Sequence, residues 1–340
     1  MKHYFGIFLG IAFLIMSIPC FAFAGTSGST PKETMSAASS SDGQAAENDT
    51  VSFKVYNHKT GKVETIAAGD YIKGVVAAEM PASYHTEALK AQAVAAHTYA
   101  LKMKEQQAAA PTESLKGADI STDPSTSQSY MSISELKEFY GGQFDANYKK
   151  ISDAVDAVLD KVILCDGELI AAAFHAVSGG TTEDATNVWG RSLSYLKPVL
   201  SDGDLLAPNY ETKTELASAD VKAKLSEAFD GLTFPEDPAA WLTITSITES
   251  KSVKEAQVCG KTVAGTELRE ALGLPSTYFT VSYADGKFTF DTKGKGHGVG
   301  MSQYGADYLA RQGKTYDEIL KYYYTGVEIA TVKANSEADQ

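Results

Sequence analysis

A single glutamate lies inside an otherwise apolar stretch, GVVAAEMPAS, which runs from Gly74 to Ser83. A helix end could simply turn this acid, Glu79, toward water. Its apolar neighbours favour a second interpretation, because removing water from a carboxyl group favours its protonated form and raises its pKa. A carboxyl group that holds its proton near neutral pH can act first as a general acid and then as a base. Glu79 is therefore the candidate catalytic residue.

Two further stretches combine glycine with polar and aromatic side chains, FHAVSGGTTEDATNVWG and GKGHGVGMSQYGA. Glycine lets backbone amides approach a ligand closely, and aromatic rings offer flat apolar faces of the kind that stack on sugars. Each such residue is a weak signal alone, since a histidine beside glycine is more often structural. With one glutamine on a neighbouring helix, the predicted substrate-binding set is Gln92, His175, Ser178, Gly179, Gly180, Trp189, His297, Ser302, Gln303 and Tyr304.

Other acidic residues compete with Glu79 for a catalytic role. Glu87 begins a helix, where a carboxylate is favoured by the helix dipole alone. Glu183 and Asp184 follow the Gly-Gly pair and are expected to be solvated, although either could line a cleft. Asp291 is expected to end a strand before the glycine-rich loop and is a second candidate.

The elements around Glu79 can be predicted from patterning. From Val51 onward, two alternating segments about a K-T-G turn predict a hairpin. Asp70 is expected to cap a short helix that reaches Glu79 and that Pro81 ends. The next segment, TEALKAQAVAAHTYALKMKEQQ, is apolar almost all round and predicts a buried central helix. Its stripe at helical spacing consists of Ala88, Gln92, Ala95 and Tyr99.

Turn and cap signals place the remaining elements. Capping boxes are expected at Ser132 with Glu135 and at Thr315 with Glu318, and tight turns at Asp166-Gly167 and Asp285-Gly286. Two further helices are predicted, from Asp145 to about Lys161 and from Ser302 to Gln312. Helices and antiparallel hairpins interleave without a βαβ rhythm. This order predicts an α+β fold around the central buried helix, with a substrate cleft.

Composition predicts the domain organisation and excludes some partners. Residues 1–24 are a signal peptide or membrane anchor, 25–50 a flexible linker, 51–331 one catalytic domain, and 332–340 a disordered tail. A peripheral insertion is expected within residues 201–249. The leader predicts an extracytoplasmic protein, either anchored or secreted. The net charge of −13 argues against a nucleic-acid partner. Cys165 and Cys259 could form one disulfide, but nothing in the sequence brings them together.

Together the stretches resemble the stage II sporulation protein D family of peptidoglycan lytic transglycosylases. The matching segments are DYIKGVVAAEMPASYHTEALKAQAVAAHTYAL, AFHAVSGGTTEDATNVWG, AGTELREALGLPSTYF and GHGVGMSQYGADYLARQGKTYDEILKYYYTGVEI. The resemblance spans about residues 51–329. An ordered set of four long matches is much more specific than any one of them.

The resemblance implies cleavage of glycan strands between N-acetylmuramic acid and N-acetylglucosamine, leaving a 1,6-anhydro end, with Glu79 as the acid/base. Most glycosidases need two carboxyl groups. Here the 6-hydroxyl of the sugar is the nucleophile, and its tethering near the anomeric carbon allows one carboxyl group to serve twice. The resemblance also implies septal wall remodelling during sporulation engulfment, strands stripped of stem peptides as substrate, and a cell-wall amidase as partner.

The chain departs from the family at two places. Some members hold zinc with cysteines and a histidine in the loop after the central helix, where this chain has Ser121 and Ser127. Hydroxyls are poor zinc ligands, so we predict no metal and no cofactor. The family also commonly has an arginine where this chain has His97. If that arginine pairs with a buried acid, the pairing becomes pH-dependent here.

Two other functions compete with the transglycosylase. Relatives of this domain stimulate a cell-wall amidase without catalysis, which would make Glu79 structural. A serine hydrolase using Ser302 and His297 is disfavoured, because GVGMSQYG lacks the G-x-S-x-G elbow and no orienting acid is evident.

Overall fold

The computed structural model describes residues 51–332. The predicted leader, linker and nearly all of the predicted tail lie outside these residues and stay predictions. Within residues 51–332, no helix is both long and apolar enough to cross a membrane.

Helices and short strands alternate along the chain. The helices are α1 Ala68–Glu79, α2 Thr86–Ala109, α3 Ile133–Tyr140, α4 Phe144–Asp156, α5 Ala185–Trp189, α6 Ser218–Ala228, α7 Gly265–Leu272, α8 Gln303–Arg311 and α9 Tyr316–Tyr323. The strands are β1 Ser52–Asn57, β2 Lys62–Ala67, β3 Ile120–Ser121, β4 Lys161–Cys165, β5 Glu168–Leu169, β6 Phe174–His175, β7 Glu211–Ala217, β8 Leu242–Ile247, β9 Val253–Val258, β10 Lys261–Ala264, β11 Phe279–Ala284, β12 Lys287–Lys293, β13 Met301–Ser302 and β14 Glu328–Thr331.

Helix α2 is the centre of the larger hydrophobic core. Every residue from Leu89 to Ala100 is buried except Lys90. Helices α1, α4, α8 and α9 and strand β4 all pack against it. Its many alanines allow these neighbours to approach closely on several sides. The prediction of a buried central helix is confirmed.

Most of the predicted turns and caps are confirmed. Strands β1 and β2 form the first hairpin, and the β4–β5 and β11–β12 hairpins turn at the two Asp-Gly pairs. Both capping boxes form, at Ser132 for α3 and at Thr315 for α9. These signals are local, because a turn or cap is made by residues adjacent in the chain.

Two boundaries differ from the predictions. Helix α1 begins at Ala68, so Asp70 lies in its first turn and does not cap it. Strand β2 ends at Ala67 and leads directly into the helix, which leaves no room for a cap at Asp70. Helix α4 ends at Asp156 and not near Lys161, because Lys161 already begins β4.

A second, smaller hydrophobic core lies within residues 211–293. Sheets β10-β9-β8 and β11-β12-β7 build it with α6 and α7. Its buried members are Val221, Leu225, Phe229, Trp241, Leu242, Val253, Ala256, Val258, Val263, Leu268, Leu272, Leu274, Phe279, Phe288 and Phe290. The stretch predicted as a peripheral insertion, 201–249, contributes β7, α6 and β8 to this core.

The two glycine-rich stretches meet as a short parallel pair. Strand β13 lies beside β6, with Met301 opposite Phe174 and Ser302 opposite His175. The other sheets are antiparallel apart from the pairing of β1 with β3. The α+β prediction is confirmed, and the pairing of β6 with β13 places the candidate residues of both stretches side by side.

Candidate functional site

Glu79 ends α1, and its carboxyl group is held from two sides. The backbone N–H of Ser129 donates to Oε1 at 2.6 Å, and Nε2 of Gln303 donates to Oε2 at 3.3 Å. The side chain is only partly accessible. Burial raises the pKa of Glu79 above its ordinary value, although these hydrogen bonds act in the opposite direction. Each carboxyl oxygen thus accepts one hydrogen bond, the shorter one at Oε1.

The loop that presents Ser129 lies directly on α1 because Gly74 has no side chain. A Cβ at this position would come within 2.5 Å of the ring of Tyr130 and 2.6 Å of the carbonyl oxygen of Met131. Tyr130 also stacks on Tyr71, at 5.3 Å between ring centroids. Gly74, five residues before Glu79 in the same helix, therefore allows the loop that presents Ser129 to approach α1 closely.

Gln303 connects Glu79 to the central helix. Its Nε2 lies 3.4 Å from Oε1 of Gln92, in addition to its contact with Glu79. Gln92 is fully buried and Gln303 nearly so. The structure thus brings together the candidate acid, the glutamine of the buried stripe and the glutamine of MSQYG.

Ser178 and Ser302 meet at a buried acid, Asp204. Ser302 donates its hydroxyl to Oδ1 of Asp204 at 2.7 Å, and Ser178 donates its hydroxyl to Oδ2 at 2.5 Å. The backbone N–H of Ser178 also donates to Oδ2 at 2.8 Å. Ser302 in turn accepts from the N–H of Gly305 and caps α8. Burial raises the pKa of Asp204.

The two candidate histidines are buried and form a cluster with the partly buried Trp189. The His297 ring lies 5.7 Å from that of His175 and 5.3 Å from that of Trp189, between centroids. The N–H of Val299 donates to Nδ1 of His297, whereas Nδ1 of His175 faces the carbonyl oxygen of Val299. Burial lowers the pKa of His175 to about 4 and that of His297 well below its ordinary value. Both rings are therefore neutral at neutral pH.

The segment after Glu79 is fixed by the helices on either side. Lys150 of α4 donates to the carbonyl oxygens of Ala82 and Tyr84, at 2.7 and 2.6 Å. Asp307 of α8 accepts from the N–H of His85 at 2.6 Å. The ring of Tyr304, a candidate residue, meets that of Tyr84 edge-on. These contacts hold the C-terminal end of α1 in place.

A small cavity adjoins both glycine-rich stretches. Its lining includes Ser178, Gly179, Tyr278, Lys293 and His297. Its volume of about 20 Å³ holds one water molecule and no sugar ring. Glu79 is not among its lining residues. The predicted substrate cleft therefore stays a prediction.

The competing acids have structural partners. Glu87 accepts from the N–H of Tyr316 and pairs with Lys90. Glu183 is buried and not solvated as expected, because it accepts hydrogen bonds from Asn187 and Thr248.

The two remaining acids are also accounted for. Asp184 caps α5 and pairs with Lys197. Asp291 is exposed on β12, which continues past it to Lys293. None of the four competing acids shares the hydrogen bonds that hold Glu79.

The loop between α2 and α3 does not have the ligands of a zinc site. Ser121 and Ser127 are buried, and the hydroxyl of Ser121 accepts from the N–H of Asp123 at 2.9 Å. No group of three histidine, cysteine or acidic residues within residues 51–332 could hold a metal ion. The donor set present here does not fit zinc.

Among the described residues, neither His175 nor His297 forms a hydrogen bond with a serine side chain. The hydroxyl of Ser302 is used by Asp204, and Nδ1 of His297 is used by Val299. Six candidates are buried, namely Gln92, His175, Ser178, His297, Ser302 and Gln303. Their substrate contacts stay predictions, because the bonds described above occupy much of their polar surface.

Two residues at the site were missed from the sequence. Ser129 reaches Glu79 with its backbone N–H, a group that nearly every residue type carries, and only the fold brings it there. Asp204 lies in SDGDLLAP, inside the stretch assigned to a peripheral insertion, and only the fold brings it to Ser178 and Ser302.

Comparisons with known proteins agree on one family. The family model described as SpoIID, Stage II sporulation protein, matches residues 56–164. The chain is 38% identical to Stage II sporulation protein D of Bacillus subtilis over 92% of this chain and 88% of that protein. It is also 38% identical to the protein of that name from Bacillus amyloliquefaciens, over 85% of this chain and 80% of the relative. An Amidase enhancer of Bacillus subtilis is 30% identical over 76% of this chain and 40% of its own length.

Proposed function

Because this chain belongs to the stage II sporulation protein D family, a family of sporulation proteins, we propose that it is a lytic transglycosylase that acts on peptidoglycan. The bond cleaved is the one between N-acetylmuramic acid and N-acetylglucosamine, and the product carries a 1,6-anhydro end. The observation that carries the proposal is the carboxyl group of Glu79. It is partly buried, its pKa is raised, and residues from two distant parts of the chain hold it.

The proposed reaction needs one carboxyl group and no water. Glu79 gives its proton to the glycosidic oxygen as the bond from that oxygen to the anomeric carbon breaks. The 6-hydroxyl oxygen of the same muramic acid then bonds to the anomeric carbon, and its proton passes to Glu79. The acid is restored for the next cycle, and the tethered hydroxyl has a high effective concentration.

The hydrogen bonds around Glu79 suit this double role. Ser129 and Gln303 stabilise the carboxylate that exists between the two proton transfers, while burial stabilises the protonated form that starts the reaction. The two opposing influences keep both forms accessible. A fully solvated glutamate would be ionised at neutral pH and could not begin as an acid.

Product analysis tests this proposal. Purified glycan strands without stem peptides are incubated with the protein in water labelled with a heavy oxygen isotope, and the products are measured by mass spectrometry. We expect anhydro ends without label, lighter by one water than a hydrolysis product. Reducing ends that carry the label would identify a hydrolase and reject the transglycosylase.

The alternative function is that of a non-catalytic enhancer of an amidase. The similarity to an Amidase enhancer favours it, although that protein is much longer than this chain. An enhancer would release nothing from bare glycan but would raise the rate of an added cell-wall amidase. The same assay with and without amidase separates the two functions.

We further propose that the protein acts outside the cytoplasm, anchored or secreted through its first residues. The apolar run between Lys2 and Ala24 supports this location. Glycan strands stripped of stem peptides are the proposed substrate, with a wall amidase acting first. Fractionation of producing cells tests the location, and recovery from the cytoplasm alone would reject it.

A further inference from the structure

Residues 201–206, which we call the 201–206 segment, touch several of the predicted site residues. The N–H of Ser201 donates to the carbonyl oxygen of Gly180 at 2.9 Å, and the carbonyl oxygen of Leu206 accepts from the hydroxyl of Tyr304 at 3.0 Å. Asp204 lies between them and binds the hydroxyls of Ser178 and Ser302. One short piece of chain thus connects the two glycine-rich stretches.

The 201–206 segment is also docked on α8 and α9. The hydroxyl of Ser201 lies 2.7 Å from that of Tyr323, the last residue of α9, and both are buried. Gly203 packs so closely on the ring of Tyr308 that any Cβ there would overlap it. The contacts of Ser201 and Gly203 therefore fix the chain just before Asp204 against these helices.

The carboxylate of Asp204 has no exposed surface and depends on these donors. Its Oδ2 accepts from the N–H and the hydroxyl of Ser178, and its Oδ1 accepts from Ser302. None of the salt bridges found within residues 51–332 includes it. A buried carboxylate without a cation is costly unless hydrogen bonds satisfy it, so each of these bonds is strongly favoured.

We propose that Asp204 is a positioning residue for the reaction of Glu79, an inference that rests on the proposed function. By accepting from Ser302, Asp204 orients the hydroxyl whose other bond caps α8. Gln303 is the next residue, and its amide reaches Glu79. By accepting from Ser178, Asp204 holds the Gly179–Gly180 turn in register with the same helix end.

The substitution Asp204→Asn tests this role with little change in size. The amide keeps one acceptor oxygen but replaces the other with a donor, so it cannot accept from both hydroxyls. We expect kcat on glycan strands to fall by about 10–100-fold, the scale of a misplaced catalytic group. The control Asp202→Asn removes an exposed carboxylate from the same segment and should leave kcat unchanged.

Two further measurements separate positioning from a general loss of structure. Hydrogen exchange in Asp204→Asn should accelerate at residues 176–180 and 302–305 but not in α2. In a double-mutant cycle, Asp204→Asn should add little to the loss caused by Ser302→Ala, because both changes break one chain of contacts. If Asp204→Asn does not fold, Ser302→Ala alone must show the faster hydrogen exchange at residues 302–305 and the lower kcat.

The outcomes distinguish this inference from the proposed function. Exchange and kcat that match the Asp202→Asn control would overturn the role of Asp204 while leaving the transglycosylase intact. Fully additive losses in the cycle would overturn it too. A wild-type protein that cleaves no glycan would reject the proposed function and with it a positioning role in that reaction, whatever the exchange shows.

Discussion

The chemistry proposed for this protein depends on one carboxyl group that is neither free in water nor sealed from it. Burial raises the pKa of Glu79, and the donors Ser129 and Gln303 limit that rise. Both donors come from outside α1, one from the loop before α3 and one from the first turn of α8. The acid strength of Glu79 is thus a property of three separate segments.

The pH dependence of activity should respond to Gln303. The acid must start protonated, so kcat should decrease as pH rises through the pKa of Glu79. Gln303→Ala removes a donor that favours the carboxylate, which raises the pKa of Glu79 further. We therefore expect this decrease to move to higher pH, together with a lower maximal kcat.

A pH–rate profile of both proteins on glycan strands measures this shift. The control Gln257→Ala changes a glutamine on β9 whose side chain donates to the hydroxyl of Thr262. This residue is far along the chain from Glu79. The control variant should retain the wild-type profile. A decrease in Gln303→Ala at the wild-type pH, or at lower pH, would contradict the assigned contact.

At the scale of single residues, the sequence predicted Glu79 as the catalytic acid but not the hydrogen bonds that hold its carboxyl group. Glu79 is recognisable from its apolar neighbours, and Gln303 from its place in MSQYG. Ser129 donates through its backbone, and Asp204 depends on long-range folding, so neither leaves a local pattern. Sequence distance between partners, as in the Glu79–Gln303 pair, is the physical reason such contacts escape prediction.

At the scale of elements, close packing on α1 controls how the loop reaches Glu79. Gly74 allows Tyr130 and Met131 to contact the helix backbone. The substitution Gly74→Ala would push this loop away and withdraw the N–H of Ser129 from the carboxyl group. We expect a fall in kcat of about tenfold or more and a loss in the free energy of unfolding of about 1–3 kcal/mol.

Gly69→Ala is the matched control in the same helix. A Cβ there meets only the flexible end of Leu159, at 3.3 Å. Replacing helical glycine by alanine favours the helix by up to about 1 kcal/mol. Kinetics and urea unfolding of both variants measure the difference, and equal behaviour of the two would contradict the role given to Gly74.

Elements were predicted well where their signals are local. The capping boxes, the Asp-Gly hairpins and the alanine-rich central helix all form as predicted. The start of α1 was misplaced, because the strand before it continues to Ala67 without a separating loop. The cap expected at Asp70 needs a break in the chain that the fold does not have.

At the scale of the whole molecule, several buried histidines link stability to pH. Burial lowers the pKa of His97 from its ordinary 6.5 to about 4, and that of His175 also to about 4. The unfolded chain takes up protons on these groups below about pH 6.5, whereas the folded chain does not until about pH 4. These groups therefore cost stability as pH falls through this window.

The substitution His97→Gln tests this contribution. One such histidine changes the free energy of unfolding by up to about 1.4 kcal/mol per pH unit inside the window. We expect the variant to lose less stability than the wild type between pH 7 and pH 5, values chosen to span most of that window. Urea unfolding at both pH values measures it, and identical losses would show that His97 does not contribute.

The molecule as a whole has two hydrophobic cores. The sequence had predicted a single domain with a peripheral insertion. The second core takes strands and helices from both within and beyond residues 201–249. Its apolar residues alternate along short strands, so they resemble a surface insertion when the chain is read locally. The 201–206 segment precedes the second core in the chain and supplies Asp204 to the site.

The most direct test of the central claim is the substitution Glu79→Gln, assayed for anhydro-glycan release from strands without stem peptides. The change keeps the size of the side chain and removes the proton that it transfers. We predict a loss of about 100-fold or more, with Glu105→Gln, an exposed acid on α2, unchanged. Release by the Glu79→Gln protein at close to the wild-type rate would contradict the account.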